Sequence, residues 1–435
     1  MRRFFYKFPW LVWLYHLFLA FAGAVFYGFP GKKLFVIGVT GTKGKTTTAQ
    51  LISSILEEAG KRIALSTSVF IKVGDECKFN TTENTMPGRF SLQAFLSRAL
   101  TAGCSYAIVE VTSQGVVASR HRFIKWSAVV VTNIAREHIE AHGSFENYRA
   151  AKLSFLFEAK RNGAPIFLNE DDEPSAYFIE QIGSRNARLY SKVIAKEAFL
   201  KNERLMGEFS RENVAAAVAV VRHIGVSDAT ILRALQKFSG VPGRMEFVPW
   251  PGAISPRFEA VVDYAHTPDS LRAIYTVLRE KLVRAAAPFA DEFKTWNSGG
   301  ATPSETALRP QGGLVCVLGA CGGGRDRWKR PEMGKVAAEF CDRIILTDED
   351  SYDEDPGTIL QEIYNGIPLD KQNIVTKVLD RREALREGVR AAREGDIVVA
   401  TGKGSELWIH AARGEKIPWS ERRILEEAIC EAMTR

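Results

Sequence analysis

Seven residues early in the chain, Gly41-Thr42-Lys43-Gly44-Lys45-Thr46-Thr47, have the types and spacing to hold a phosphate chain. Glycines let backbone N–H groups turn toward phosphate oxygens, and a helix starting just after them adds positive potential. Lys45 would neutralise the β- and γ-phosphates of ATP, and the hydroxyl of Thr46 would ligate Mg²⁺. The longer form of the motif has glycine where this chain has Val39, so the core G-x-x-G-K-T remains. The competing reading is a glycine-rich turn that only caps a helix. The strand before the turn and the helix after it favour the nucleotide.

The elements that must position this turn are legible as apolar runs. Residues 34–39, 106–111 and 127–132 are near-continuously apolar, as strands buried on both faces should be, and helical stretches separate them. Thr46 to Glu58 reads as a helix that Gly60 stops. The pattern restarts after Val241-Pro242-Gly243-Arg244, with strands expected at 260–263, 314–319, 343–347 and 396–400. This alternation predicts an α/β protein: a P-loop, doubly wound, mostly parallel central domain over 34–243 and a Rossmann-like α/β domain over 244–435. A segment over 285–313, rich in Ala, Pro, Ser, Thr and Gly, is expected to be a loop insertion. Each strand ends in polar or glycine residues (Thr40-Gly41, Glu110, Asn133, Asp263, Gly319, Asp348, Gly402). Open α/β sheets bind ligands beyond those ends, so a cleft between the two edges is the expected site.

Composition narrows the class. The 435 residues are 46 % hydrophobic and 25 % charged, as in a soluble globular protein of two domains. The net charge of +7 suits an anionic small molecule, and equally nucleic acid or an anionic membrane surface. No basic block with interleaved aromatics points to nucleic acid. The six cysteines show no C-x-x-C spacing and are read as free buried thiols of a reducing cytosol. Residues 1–33 form a hydrophobic N-terminal segment. Within it 10–29 is almost wholly apolar, with His16 its one ionisable residue, and basic residues flank it on both sides. It is read either as a helix at a membrane surface or as one packed on the next domain, with a full bilayer span as a third reading.

From Leu34 to the C-terminus the chain resembles the Mur ligase family, most of all the members that add the third amino acid to UDP-N-acetylmuramoyl-L-alanyl-D-glutamate. The resemblance rests on ordered blocks: Gly41–Thr47, Asn80-Thr81-Thr82, Glu110-Val111-Thr112-Ser113, Thr132-Asn133 with Glu137-His138, His142-Gly143, and Ala150-Ala151-Lys152. It continues through Asn169–Asp172, Asn213, Val241–Glu246, Asp263–Pro268, Gly322–Arg330 and Gly402-Lys403-Gly404-Ser405-Glu406. It implies that ATP phosphorylates a carboxylate and that an amine attacks the acyl phosphate, a cytoplasmic step of peptidoglycan precursor synthesis. Such chemistry relies on positioning and charge neutralisation.

The resemblance also assigns roles. Thr46 and Glu110 match ligands of one Mg²⁺, and Glu110 and His138 ligands of a second. Lys152 matches a lysine carbamylated by CO₂, which turns a cation into an oxygen ligand. By pattern alone Lys152 is an ordinary surface lysine of a helix capped by Ser144. Asn133, Asn213, Arg244, Asp263 and His266 match nucleotide-side positions. Thr81, Thr82, Ser113, Asp348, Asp350, Tyr352, Gly402 and Glu406 match the substrate side. The expected partners are a nucleotide-sugar-peptide and an amino acid, and a monomer is expected.

Departures bear on the substrate. Only about thirty residues precede the first strand, where the family has a domain for the UDP moiety, so that domain is expected to be absent. Diaminopimelate-selecting members carry Asp-Asn-Pro-Arg where this chain reads Asp348–Asp355, with Tyr352 in the place of the Arg. Loss of that bidentate donor leaves a second carboxylate unpaired, and the acidic run would favour lysine or another cationic amino acid. Gln114 and Ser405 replace family histidines. The alternatives are a folylpolyglutamate-synthase-like ligase and a membrane-seated, non-catalytic nucleotide-binding partner. Retention of Lys45, Glu110, His138 and Lys152 argues against the latter.

Overall fold

All seven apolar runs form strands, and each is buried because helices and loops cover both faces of its sheet. The computed structural model describes residues 9–135, 137, 139–251, 257–296 and 312–433. The chain divides into two compact units, Met1–Ser239 and Gly240–Arg435.

The first unit opens with α1 (Pro9–Phe26), then β1 (Phe35–Thr40) and α2 (Lys45–Glu58). β2 (Ile63–Ser66), β3 (Phe70–Val73) and β4 (Glu76–Phe79) follow, then α3 (Arg89–Thr101), β5 (Tyr106–Glu110), α4 (Ser113–Val117) and β6 (Trp126–Val131). Next come α5 (Ile139–His142), α6 (Phe145–Arg161), β7 (Ile166–Asn169), α7 (Ser175–Ile182), β8 (Ala187–Tyr190), α8 (Glu208–His223) and α9 (Asp228–Lys237). The sheet order is β4-β3-β2-β5-β1-β6-β7-β8, parallel from β2 to β8, with β3 and β4 added antiparallel. Helical crossovers between parallel neighbours produce that order. β1 lies between β5 and β6, with Val39 opposite Glu110 and Thr40 opposite Val131, so three strand ends meet at one edge.

The second unit holds β9 (Glu246–Phe247), β10 (Glu259–Val262), α10 (Pro268–Trp296), β11 (Leu314–Leu318), α11 (Lys329–Phe340) and β12 (Arg343–Leu346). It continues with α12 (Pro356–Tyr364), β13 (Val375–Lys377), α13 (Arg381–Ala391), β14 (Ile397–Ala400), the β15 (Trp408–His410) and β16 (Lys416–Pro418) ribbon, and α14 (Glu421–Met433). The main sheet runs β13-β12-β11-β14-β10-β9, parallel except for β9.

Three expectations need correction. The proposed 285–313 loop is helical at its start, because α10 continues to Trp296; Ala285-Ala286-Ala287 are strong helix formers. Residues 297–311 lie outside the described residues. Two of the six cysteines are not free: Cys316 on β11 and Cys341 at the end of α11 form a disulfide, their Cα atoms 6.1 Å apart. Among the described residues no helix is long and apolar enough to cross a membrane, so the spanning reading of 10–29 falls away. Instead α1 packs on α3 through its small residues Ala20 and Ala24. His16 reaches Arg89, which explains the lone ionisable residue in an apolar helix.

Candidate active site

The turn after β1 is built as the glycine spacing requires. Gly44 caps α2 at φ 77°, a conformation that costs glycine least. A Cβ on Gly44 would stand 2.1 Å from Asn213 Oδ1, so α8 presses directly on the turn. The Lys43 N–H donates to Asn133 Oδ1 at 2.9 Å, and Thr132 Oγ1 donates to the Lys43 carbonyl at 2.6 Å. The end of β6 therefore fixes the turn's other side. Lys45 Nζ folds back on the Thr42 carbonyl at 2.7 Å. Thr47 lies in the first turn of α2.

Thr46 Oγ1 donates to Glu110 Oε2 at 3.0 Å, and Glu110 is buried at the end of β5. Ser68 completes this group: its N–H donates to Glu110 Oε2 at 3.0 Å, and its hydroxyl lies 3.0 Å from that of Thr46. No metal is needed to hold these oxygens together, yet a hydroxyl beside a carboxylate at a phosphate turn is the hard-donor pair that Mg²⁺ prefers. Among the described residues no three His, Cys, Asp or Glu side chains gather into a metal nest. His138 lies outside the described residues.

Lys152 is not a surface lysine. It lies on α6, which Ser144 caps by accepting the Asn147 N–H, and it is 2 % exposed. Its Nζ donates to the Gly41 carbonyl at 2.7 Å and to Thr40 Oγ1 at 3.4 Å. Burial, and then the nearby cation of Lys45, hold its amine well below the ordinary lysine value. Tyr148, one turn earlier, bonds the Thr42 hydroxyl at 2.8 Å. His142 Nε2 lies 3.0 Å from Ser113 Oγ, and burial followed by Lys152 lowers its pKa. Thr81 and Thr82 are exposed on a turn that Asn80 organises by accepting the Thr82 N–H and hydroxyl. The first unit thus brings Lys45, Thr46, Glu110, Asn133, Lys152 and Asn213 around one turn.

In the second unit the Val241–Arg244 turn packs on Gly404-Ser405: a Cβ on Gly243 would meet Ser405 N at 2.1 Å. The Arg244 guanidinium lies over the Tyr264 ring, 4.1 Å from its centre. Asp263 accepts the Met245 and Ala265 N–H groups, both at 2.7 Å, so its oxygens organise backbone. Burial raises its pKa. His266 Nδ1 lies 2.8 Å from the Tyr264 carbonyl.

The acidic run is not a free anionic patch. Glu349 and Asp350 are buried, and Asp350 takes both oxygens' bonds from Lys403 at 2.9 Å. Glu406 bonds Lys403 at 2.5 Å and accepts from the Tyr264 hydroxyl at 3.0 Å. Burial opposes charge on Lys403, but Glu406 and Asp350 outweigh it and raise its pKa. Glu354 pairs with the buried Arg330. Asp348, its pKa raised by burial, accepts the Glu349 N–H. Attraction of a cationic side chain to Asp350 is therefore withdrawn, since an internal lysine already holds that charge. Tyr352 sits at φ 51° and stacks on His410, ring centres 5.1 Å apart. Gly402 faces Glu349, whose Oε2 would be 2.3 Å from an added Cβ.

Sequence reasoning assigned nothing to Ser68, Tyr148 or Lys403. Ser68 follows the four-residue strand β2, whose Ile63-Ala64-Leu65 run is the signal that sets Ser68 at the same edge as Thr46.

Residues 39–204 match the Mur ligase middle domain, and 301–404 match the Mur ligase glutamate ligase domain. The chain is 32 % identical over 436 residues to the UDP-N-acetylmuramoyl-L-alanyl-D-glutamate–2,6-diaminopimelate ligase of Syntrophomonas wolfei, covering 94 % of this chain and 81 % of that one. It is a member of the Mur ligase family. As such it is an ATP-dependent ligase that joins an acid to an amino acid through a new carbon–nitrogen bond. Among solved structures, a UDP-N-acetylmuramoyl-L-alanyl-D-glutamate–2,6-diaminopimelate ligase aligns with TM-score 0.54 at 26 % identity, over 92 % of this chain and 79 % of that one. Folylpolyglutamate synthase of Mycobacterium tuberculosis shares the fold, with TM-score 0.63 at 14 % identity over 96 % and 95 % of the two chains.

Proposed function

We propose that this Mur ligase adds an amino acid to a UDP-N-acetylmuramoyl-peptide during peptidoglycan precursor synthesis. The observation that carries the reading is the buried Lys152 amine held against the phosphate turn beside Lys45. A lysine held below its ordinary pKa offers the neutral amine that CO₂ requires, and a carbamate there would place oxygens near Thr46 and Glu110. Those two side chains would hold Mg²⁺ against the nucleotide, with His138 and the carbamate as donors to a second ion. Mg²⁺ supplies charge neutralisation at the phosphates. Lys45 leaves the Thr42 carbonyl for the phosphates. The turn's N–H groups orient the chain of oxygens, and Asn213 and Arg244 bind on the nucleotide side.

The relatives at over 30 % identity are named for diaminopimelate. Tyr352, without a guanidinium, supports an amino acid lacking a second carboxylate. Phosphate release with UDP-N-acetylmuramoyl-L-alanyl-D-glutamate, ATP and each amino acid in turn tests both statements. Release dependent on an amino acid lacking a second carboxylate, and weak with diaminopimelate, is expected. Release with a folate and glutamate instead would overturn the reading.

A further inference from the structure

The helix α1 leaves an aromatic stripe largely exposed, with Phe21 meeting another ring of the unit, Phe123, edge-on at 5.3 Å. Trp10, Leu14, Phe18, Phe21 and Val25 recur at intervals of four and three, which places them on one helical face, and all are exposed, Phe18 to 65 %. An adjoining face is spent on the unit itself: Ala20 and Ala24 are buried, and an added Cβ on Gly23 would meet Phe90 at 3.2 Å. The helix is therefore anchored by small residues and presents large ones outward. Just past its end Lys32 and Lys33 are exposed, and Arg2, Arg3 and Lys7 precede it in the sequence.

That charge pattern selects the occupant. Both ends of the segment are basic, so two copies laid face to face would set cation against cation whether parallel or antiparallel. An anionic lipid surface instead complements both ends, while aromatic and leucine side chains settle at the headgroup boundary. A helix that, over the described residues, is not long and apolar enough to cross can still lie in the surface plane. We propose that the exposed face of α1 rests on an anionic phospholipid surface and seats the first unit there without spanning it.

Flotation of the full chain with phosphatidylglycerol–phosphatidylcholine vesicles, against phosphatidylcholine alone, tests this. The chain should float with the anionic vesicles and far less with neutral ones. Phe18→Ser with Val25→Ser should weaken partition by at least about tenfold. Lys32→Glu with Lys33→Glu should weaken it by at least about fivefold for each charge removed. ATP binding should be unchanged in both variants, which shows that they fold. Bromolipid quenching of Trp10 and Trp13 should follow binding. The proposal is overturned if the chain stays unbound with anionic vesicles, or if partition ignores either pair of substitutions. It is equally overturned if the stripe instead drives self-association that Phe18→Ser abolishes.

Discussion

The Nζ of Lys152 lies 2.7 Å from the main-chain oxygen of Gly41, so a lysine on α6 grips the turn that the glycine spacing marks for phosphate. Lys152→Ala should lower ligation by about two orders of magnitude or more, in the range for loss of a group at a charged transition state. Added bicarbonate should not restore the variant. Nucleotide binding, followed by calorimetry, should stay within several-fold of the parent, which separates a lost ligand from a lost fold. Near-normal turnover by this variant would sink the role.

Glu110 is the acceptor that Thr46 and Ser68 share. Glu110→Gln removes the charge and keeps the shape. The Mg²⁺ concentration giving half-maximal phosphate release should rise by about tenfold or more, as for other losses at a metal site. An unchanged Mg²⁺ titration would place the metal elsewhere.

His121 is buried with neither ring nitrogen bonded among the described residues, and its ring meets Phe155 edge-on. Burial, with Arg122 adding to it, lowers its pKa to about 3. The folded state keeps the ring neutral while the unfolded chain protonates near pH 6.5, so the unfolded state binds more protons below that value. Stability should therefore fall as pH drops from about 6 toward about 3.5, by at most about 1.4 kcal/mol per pH unit. Urea denaturation of His121→Phe should show a shallower acid slope than the parent. Equal slopes would mean that His121 is protonated in the fold.

The Cys316–Cys341 bond closes a loop 25 residues apart in sequence. Under denaturing, non-reducing conditions a thiol titration should find four free groups, Cys77, Cys104, Cys321 and Cys430, and six after reduction. Reduction should cost the second unit about 3 kcal/mol, read as a lower melting temperature. Six thiols without reductant would show that the pair is open.

What the sequence discloses follows from how local each signal is. The seven strands expected at the outset stand out because burial on both faces demands uninterrupted apolar runs. β4 is exposed throughout, β8 buries only its two end residues, and β7 has just three apolar residues before Asn169, so none of them presents such a run. The phosphate turn is legible because glycine, lysine and threonine act within seven residues. Lys152 is legible only through family resemblance, since helical spacing cannot say that α6 turns this position inward. The Asp350–Lys403 pair joins residues 53 apart and the disulfide joins 25, and neither leaves a trace in spacing. The helical stretch from Ala285 was hidden by Pro288 and the small residues that follow.

Lys403 has no exposure at all, and its partner Asp350 has almost none. A bare ion left in so dry a place is far costlier than the intact couple. Neither residue can therefore drift alone: among relatives, the two positions should change in step, acid with base or both to uncharged types. A sequence that keeps one and loses the other must carry a substitute counter-charge nearby.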